Sequence, residues 1–464
     1  MIKLTTPIIP SKQVFAKVNA PHELHLEAIC VFAAIGFFLD QDTYWKDDIV
    51  LRAATDHVLD TSNILLKSKP WFHWHYSPRD ISFSQALEEF SELFETIILE
   101  QTQNKKVILP LSGGLDSRTQ AVALKQIKAD VYSYSYEFEH GYQETKIAKQ
   151  IAQTCGFKYD SYSIQKGYLW QVLDELYQIN KGYSDFTSPR QMAIYNKMNS
   201  MGDMFSLGHW GDVLFDDMKV GENISLDEQV NILIKKLLKK GGLDFGKHLW
   251  RSWELKGDFY DYFYNRIYSL MKRIDIPHSP NARIRAFKSM YWAPRWTSIN
   301  LAIFESKHPI SLPYYDNRMS QFICTIPEAY LKNRLLQIGY IKRRSPEIAK
   351  IEWQDHHPFN LNNYQFNKSP FNLPFRISNR LQQTLKLLLG MPYIQRNWEL
   401  QFLGRDNENQ LKNALEQSHL DQWISKQLIN KYTEQFFRID SINNAHAMNM
   451  LLVLAKFNQA SRYV

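Results

Sequence analysis

The stretch LPLSGGLDSRTQAVAL, residues 109–124, limits what this chain can fold into more than any other part of the sequence. The apolar run from Val107 to Leu111 is typical of a strand, and the residues after Asp116 are typical of a helix. A strand that leads through a glycine-rich turn into a helix exposes backbone N–H groups at the positive end of that helix. The junction therefore predicts an anion site at the edge of a sheet.

The side chains of this junction indicate which anion it binds. Gly113 and Gly114 allow phosphate oxygens to approach the backbone, and Ser112 and Ser117 add hydroxyl donors. Asp116 would repel a phosphate unless a cation lay between them, and Mg²⁺ bridges phosphate and carboxylate oxygens. No lysine follows the glycines, so the loop is not of the GxxxxGK[ST] type. The junction predicts a nucleotide site with magnesium.

Strand-like and helix-like patterns alternate along the chain on both sides of this junction. Alternation of this kind favours an α/β fold with a parallel sheet. The strands are expected at 106–111, 130–138, 158–164 and 203–208, and the helices at 81–103, after Asp116, and at 143–156, 167–180, 188–202 and 227–242. Ser84 is the expected N-cap of the first of these helices.

The two ends of the chain differ from this central part. Residues 1–80 predict a small mixed segment, with a core helix at 28–39 and a strand within 71–80. Residues 376–464 are mostly helical in pattern. The predicted organisation is therefore an N-terminal segment 1–80, a central α/β domain 81–375 and a helical extension 376–464.

Composition restricts the partners and the compartment. The net charge of +7 comes from 55 basic and 48 acidic residues that are scattered along the chain, so no nucleic acid is expected as a partner. Cys30, Cys155 and Cys324 are widely spaced, which argues against a disulfide framework and against a cysteine metal site. The apolar run at 28–39 is too short to cross about 30 Å of hydrocarbon. The N-terminus does not have the pattern of a secretory signal, so we expect a cytoplasmic protein.

The segment SGGLDSR resembles the pyrophosphatase loop (PP-loop) of enzymes that cleave ATP between the α- and β-phosphates. Three further stretches, 142–164, 206–218 and 308–327, resemble elements of the asparagine synthetase family, which includes β-lactam synthetase and lasso-peptide cyclases. The resemblance extends over about residues 81–360. It implies the adenine-nucleotide-binding core of PP-loop proteins and an ATP-dependent reaction that forms an amide.

The resemblance also implies roles for individual residues. Asp116 and Asp212 would hold Mg²⁺, and Gly208 and Gly211 would keep the backbone close to the nucleotide. Asp185, with Thr187 and Ser188, resembles a polar segment of the family that lines the pyrophosphate pocket. Glu144 is expected to orient loops rather than to take part in the chemistry. The residues implied in ATP binding are Leu111, Ser112, Gly113, Gly114, Asp116, Ser117, Ser133, Ser135 and Gly208.

His209 stands where the family places the side chain that handles the proton of the attacking amine. An imidazole with an ordinary pKa near about 6.5 suits a general base at neutral pH. The alternative is a histidine that only forms hydrogen bonds within its loop. Trp210 departs from the small residue usual at the next position, a change that would reshape the acceptor pocket.

Two departures from the family concern catalysis. The family uses a lysine to stabilise the departing pyrophosphate, but residues 341–360 contain His356 and His357 near the expected place. Lys350, Arg344 or Arg343 are the candidate replacements, because a leaving phosphate requires a cation. Residues 33–60 resemble the tail of a glutaminase domain, yet residue 2 is Ile instead of the nucleophilic Cys. No ammonia from glutamine is therefore expected.

These expectations combine into an ATP- and Mg²⁺-dependent ligase. A small-molecule or peptide carboxylate would be adenylated and then joined to an amine or ammonia, and a partner or carrier protein is a possible source of substrate. Two alternatives stay open: a PP-loop enzyme that adenylates tRNA, and a synthetase-like scaffold without activity.

Overall fold

A computed structural model of the protein describes residues 1–141, 143–388 and 393–461. Its N-terminal segment is mixed, as predicted, and contains one helix and five short strands. The strands are β1 Ile2–Thr5, β2 Phe15–Lys17, β3 Asp48–Val50, β4 Thr55–Leu59 and β5 Leu65–Pro70. β1, β4 and β5 form an antiparallel sheet, and β2 pairs with β3 in a second one.

The core helix expected at 28–39 is α1, Leu26–Ile35, and it is buried along most of its length. It ends at Gly36, whose φ of +84° is a left-handed conformation that favours glycine. The apolar residues that follow, Phe37 to Leu39, are buried without being helical. The apolar run therefore marks the core correctly but extends beyond the helix.

The strand predicted within residues 71–80 is wrong. Strand β5 ends at Pro70, and residues 71–80 form no regular structure. Trp71 instead fixes this segment to its neighbours, because its indole N–H donates to the Thr6 carbonyl at 2.9 Å and its backbone N–H donates to Ala54. The aromatic residues here pack against the core without pairing in a sheet.

The amphipathic helix expected at 81–103 is α2, Phe83–Thr102. Ser82 is its N-cap and accepts from the Gln85 backbone N–H at 3.2 Å, so the predicted cap at Ser84 is wrong. Serine is a favoured N-cap residue at either position, and the pattern of apolar residues does not distinguish helix starts that lie two residues apart.

A five-stranded parallel sheet forms the centre of the molecule and confirms the predicted α/β class. Its strands are β6 Val107–Pro110, β7 Val131–Phe138, β8 Lys158–Ile164, β9 Met204–Ser206 and β10 Ile310–Ser311. The order across the sheet is β10-β9-β6-β7-β8, and every neighbouring pair is parallel. The central strand β6 is almost completely buried, which explains its continuous apolar sequence.

Helices connect these strands and cover the sheet. Between β6 and β9 the helices are α3 Leu115–Gln126, α4 Glu144–Cys155 and α5 Leu169–Asn180. The helix predicted at 188–202 is a 3₁₀ segment, Arg190–Ser200. Apolar periodicity does not distinguish the hydrogen-bond patterns of the two helix types, so the sequence could not tell them apart.

A helical region lies between β9 and β10. It contains α6 Gly211–Leu214, α7 Leu226–Leu237, α8 Gly242–Ser252, α9 Phe259–Lys272, α10 Pro280–Phe287, a π-helical segment Lys288–Thr297, and α11 Ser298–Glu305. The helix expected at 227–242 is α7, whose N-terminus is closed by a reciprocal capping box between Ser225 and Glu228. The π-helical segment contains Pro294, which has no N–H to donate.

The C-terminal part is helical, as predicted. After β10 the structure has α12 Asn317–Ile323, α13 Glu328–Leu331, α14 Leu335–Arg344, α15 Pro346–Ala349, α16 Leu373–Leu388, α17 Asn397–Phe402, α18 Arg405–Gln417, α19 Lys426–Glu434 and α20 Ser441–Ser461. The prediction for 376–464 includes residues 389–392 and 462–464, which lie outside the described residues. Buried α20 residues such as Leu451 and Leu454 belong to the same hydrophobic core as β6.

The part of the chain that the structure describes contains neither a membrane-spanning helix nor a disulfide bond. No helix there has the length and apolar character needed to cross a bilayer. The three cysteines form no disulfide; Cys30 and Cys324 are buried, and Cys155 is half-buried.

Candidate active site

The junction between β6 and α3 folds as the sequence predicts. Leu111 is buried and pairs with Tyr134 of the next strand, and residues 112–114 lead directly into the first turn of α3. The Ser117 hydroxyl accepts from the Ser112 backbone N–H at 3.1 Å and lies 2.9 Å from the Ser112 hydroxyl. The Gly114 N–H donates to the Ser112 hydroxyl at 3.2 Å. Each serine therefore holds the loop against the N-terminus of α3.

The two predicted metal carboxylates line one cavity. Asp116 and Asp212 both face a cavity of about 400 Å³, together with Ser112, Ser117 and Gly208. Asp212 is exposed, whereas the Asp116 side chain is 24% exposed. Burial raises the pKa of Asp116 to about 6; the nearby Asp212 adds to this rise, and Arg334 opposes it. The structure thus brings the two carboxylates together.

Arg334 and Gln337 hold the Asp116 carboxylate from the side of α14. Arg334 forms an ion pair with Asp116, and the Gln337 amide donates to the same carboxylate at 3.0 Å. Gln337 also receives a hydrogen bond at its carbonyl from Arg334 at 2.8 Å. Arg334 has a φ of +63°, an uncommon conformation for a residue with a side chain. No local sequence pattern marks these two residues as members of the site.

Asp116 lies against Gly208 and Gly211 and leaves no room for a larger residue at either position. A Cβ atom on Gly208 would lie 3.0 Å from the Asp116 Cβ, and one on Gly211 would overlap the Asp116 carboxylate. Tyr314 limits the space beside Gly211 in addition. These contacts show a close approach to Asp116, and the approach to a nucleotide that the resemblance implied stays a prediction.

We expect Gly211→Ala to displace the Asp116 carboxylate and to reduce any ATP-dependent activity by about 100-fold, because a shift of about 1 Å in a reacting group has an effect of that size. The rate of exchange between ATP and pyrophosphate measures this effect. Gly221→Ala is the matched control, since its new Cβ would meet only Ile224 at 3.4 Å. Equal rates for the two variants would contradict the role of Gly211.

One positive group, Lys288, lines this cavity, and sequence reasoning missed it. Lys288 lines the cavity with Trp292 and Trp296, and the three residues recur at every fourth position of the π-helical segment. Its ammonium lies 5.2 Å from the Trp292 ring centre and 5.8 Å from that of Trp210. Burial lowers the pKa of Lys288, and Asp212 opposes this change. Among the described residues, no carboxylate forms an ion pair with Lys288.

His209 lines the same cavity, but its chemistry differs from the expectation. Burial lowers the pKa of His209 to about 4, with Asp212 opposing the shift, so the imidazole is neutral at pH 7. Its Nδ1 is buried and has no hydrogen-bond partner in the described structure. Trp210 follows with a φ of +81°, and its indole N–H donates to Ser289 at 3.0 Å. His209 is thus a weaker base than an ordinary histidine.

The three cations proposed from the sequence do not line this cavity. Arg344 forms hydrogen bonds of 2.9 and 3.1 Å with Glu95 of α2, and Arg343 forms an ion pair with Glu88 of the same helix. Lys350 is exposed, beyond the end of α15. The basic end of α14 therefore faces acidic residues of α2, and Lys350 faces solvent. The prediction that Lys350 or Arg344 lies at the reacting centre is wrong.

Ser133 and Ser135 are buried within the sheet. The Ser133 hydroxyl donates to the Lys158 carbonyl at 2.8 Å, and the Ser135 hydroxyl forms a hydrogen bond with Tyr159. Neither lines the cavity of Asp116 and Asp212. Their hydroxyls are therefore engaged between strands, and the adenosine contact implied by the resemblance stays a prediction.

Arg118 holds the loop 112–114 from the protein interior. It is completely buried, and its guanidinium donates to the carbonyls of Gly113 at 3.1 Å, Ile351 at 3.0 Å and Glu352 at 2.5 Å. Burial lowers the pKa of Arg118 to about 10, so the group stays charged at neutral pH. Arg118 connects the anion loop to the segment that follows α15.

The residues of this cavity fit a magnesium nucleotide. Mg²⁺ is commonly held by one or two carboxylates together with phosphate oxygens and waters, and Asp116 and Asp212 supply two carboxylates. Within the described ranges, no group of three or more His, Cys, Asp or Glu side chains is placed to hold a metal by itself. The site therefore suits a metal that arrives with phosphates, next to the N-terminus of α3.

Comparison with known proteins agrees with this geometry. Residues 89–218 match the family model described as asparagine synthase, and this range includes the anion loop, His209 and both carboxylates. No curated protein matches the chain. The stretch that contains the anion loop and both carboxylates is thus similar to asparagine synthase, a family of ATP-dependent ligases that form amides.

Proposed function

We propose that this protein activates a carboxylate with ATP and joins it to an amine. The observation that carries the proposal is the pair of carboxylates, Asp116 and Asp212, facing one cavity at the N-terminus of α3. The substrate carboxylate attacks the α-phosphorus of ATP, and the bond to pyrophosphate breaks. The amine then attacks the acyl carbon of the adenylate, and AMP leaves with the bonding electrons.

The residues of the chain divide this work. The N-terminus of α3 binds phosphate oxygens, and the hydroxyls of Ser117 and Ser112 accept from the backbone N–H groups of Ser112 and Gly114 and so keep the loop in shape. Asp116 and Asp212 would hold Mg²⁺, which supplies positive charge to the phosphates when it is bound. Arg334 and Gln337 orient the Asp116 carboxylate.

Lys288 takes the place of the cation that sequence reasoning sought at 343–350. It lines the cavity with Asp212, whereas Arg343 and Arg344 pair with α2. We propose that its ammonium stabilises the negative charge that develops on the departing pyrophosphate, an electrostatic effect that is strong in a partly dry site.

We expect Lys288→Met to lower the exchange rate by about 100-fold, the usual effect of removing one such electrostatic donor. The affinity for ATP should change much less, and Lys288→Arg should recover part of the rate. Lys307→Met is the matched control, because Lys307 also lies over an aromatic ring, at 3.6 Å from the Tyr195 ring centre, but outside the cavity. A normal rate for Lys288→Met would exclude this role.

The neutral His209 can still assist the amine. Its imidazole is unprotonated at pH 7 because burial lowers its pKa to about 4. We propose that it accepts a hydrogen bond from the attacking amine. The proton that the amine loses then passes to water or to a group of higher pKa. This role is weaker than the general base expected from an ordinary histidine.

The amine in this proposal is free ammonia, a second substrate, or an amine of the same molecule. Ile2 lies in β1 opposite Leu59 and has no nucleophilic atom. Burial raises the pKa of Cys155 to about 12 and that of Cys324 to about 11, so these thiols are poor nucleophiles at neutral pH. The chain's own cysteines thus offer no support for glutamine hydrolysis.

The exchange of labelled pyrophosphate into ATP tests the proposal with a panel of carboxylates, Mg²⁺ and no amine. Exchange that depends on one class of carboxylate is the expected result. Exchange that requires tRNA would favour a tRNA-modifying enzyme instead. A failure to bind ATP at all would favour an inactive scaffold.

A further inference from the structure

A second cavity, of about 660 Å³, adjoins the first. Trp296 lines both cavities and forms the wall between them. Four basic side chains line the second cavity, and we call it the basic cavity; they are Arg190, Lys239, Lys240 and Arg396. Because the two cavities share Trp296, a substrate that extends past this ring would reach both of them.

Three of these four cations form no ion pair with a described residue, and Glu144 and Asp440 attract Arg190 and Lys240 only over longer distances. In the parts of the chain that the structure describes, Arg190, Lys239 and Lys240 form no ion pair, whereas Arg396 pairs with Glu399 at 3.4 Å. The Lys239 ammonium lies 5.3 Å from the Trp296 ring centre, on the wall shared with the first cavity. The Arg190 guanidinium lies 5.7 Å from the Phe138 ring centre. The rings position these charges without neutralising them.

The other titratable groups of the basic cavity offset only part of this charge. The Asp185 carboxylate accepts from the backbone N–H groups of Thr187 at 3.0 Å and Ser188 at 2.7 Å, and from the Asn449 amide at 3.3 Å. It is thus held by its own loop and by α20, and it is a single carboxylate among four cations in the lining of the cavity. His446 forms a hydrogen bond with the Ala33 carbonyl, and burial lowers its pKa to about 4, so it is neutral.

We infer that the carboxylate substrate carries a second anionic group, a carboxylate or a phosphate, which Arg190, Lys239 and Lys240 bind in the basic cavity. This inference rests on the proposed function. Four cations against one carboxylate in the lining of one concave site attract an anion and raise its local concentration. Because Trp296 separates the cavities, the second group lies at a distance from the carboxylate that reacts.

Binding of citrate in the absence of ATP and Mg²⁺ tests the cavity independently of catalysis. Citrate is a small polyanion, and calorimetry measures its affinity for the wild-type protein and for the double variant Lys239→Gln/Lys240→Gln. We expect the double variant to bind about tenfold more weakly or worse. Lys235→Gln is the control, because Lys235 is an exposed lysine of α7 that does not line the cavity. Equal affinities, or no binding to the wild-type protein, would overturn the inference.

A matched pair of substrates then connects the cavity to the reaction. Glutarate and its half-amide, glutaramate, share one carboxylate and differ in the charge of the other end. In the exchange assay, the wild-type protein should prefer glutarate by about tenfold, and Arg190→Gln should remove most of this preference. A variant that weakens ATP binding instead would assign the basic cavity to the nucleotide and contradict the inference.

The two assays separate the two possible failures. If citrate binds through the lysines but no carboxylate supports exchange, the proposed function fails while the anion site stands. If exchange occurs equally with glutarate and glutaramate, and citrate binding does not depend on the lysines, the second anionic group is excluded and the ligase is retained.

Discussion

Replacing Asp212 by asparagine is expected to lower the exchange between ATP and pyrophosphate by about 1,000-fold, which corresponds to about 4 kcal/mol of transition-state stabilisation. Asp212 is exposed in the cavity and makes no hydrogen bond or ion pair with the other described residues. Its removal therefore leaves the packing of the protein intact. The loss arises because one of the two carboxylates that would hold Mg²⁺ becomes a weaker, uncharged ligand.

The control for this variant is Asp217→Asn, which changes a nearby acidic residue that does not line the cavity. Its exchange rate should remain within about a factor of three of the wild-type rate, because a surface substitution away from the site has a small effect. Thermal unfolding should be similar for both variants. Unchanged exchange in Asp212→Asn would remove the main support for a magnesium nucleotide site.

Replacing Arg118 by methionine is expected to lower the free energy of unfolding by about 3 kcal/mol or more. The guanidinium is completely buried and donates to three carbonyls, those of Gly113, Ile351 and Glu352. Methionine keeps an apolar stem but leaves these buried carbonyls without that donor. The anion loop would lose its connection to the segment after α15, so ATP binding should weaken together with stability.

Denaturant unfolding measures this change, and Arg344→Met provides the comparison. Arg344 pairs with Glu95 in a half-buried position, so its loss should lower the free energy of unfolding by less than about 1 kcal/mol. Because Arg344 does not line the cavity, its replacement should also leave exchange nearly unchanged. A large loss of exchange in Arg344→Met would restore the catalytic role suggested by the sequence.

Local patterns predicted the scaffold of the site well. The strand β6, the loop 112–114 and the helix α3 follow from residues that are neighbours in the chain, since glycine content, apolar runs and helix periodicity act over short distances. The parallel arrangement followed from the alternation of strands and helices. Local patterns were less reliable at element ends, as the shift of a cap from Ser84 to Ser82 shows.

Positions that depend on distant packing were not predictable in the same way. Lys288 reaches the cavity because the π-helical segment 288–297 is held to the residue before α6, where the Trp210 indole donates to Ser289, and Arg334 reaches Asp116 because α14 lies against α3. In both cases the contacting residues are far apart in the chain. The arginines expected at the cavity were instead drawn to acidic residues of α2.

The sequence by itself determined that a strand, a glycine-rich turn and a helix would present amides, hydroxyls and the Asp116 carboxylate at one edge of a parallel sheet. Only the tertiary structure decided which cations face that edge and which ionisation states its groups adopt. The reason is physical: backbone geometry follows from neighbouring residues, whereas burial and the distance between charges depend on segments that meet only after folding. The neutral His209 and the Lys288 ammonium beside Asp212 are results of that packing.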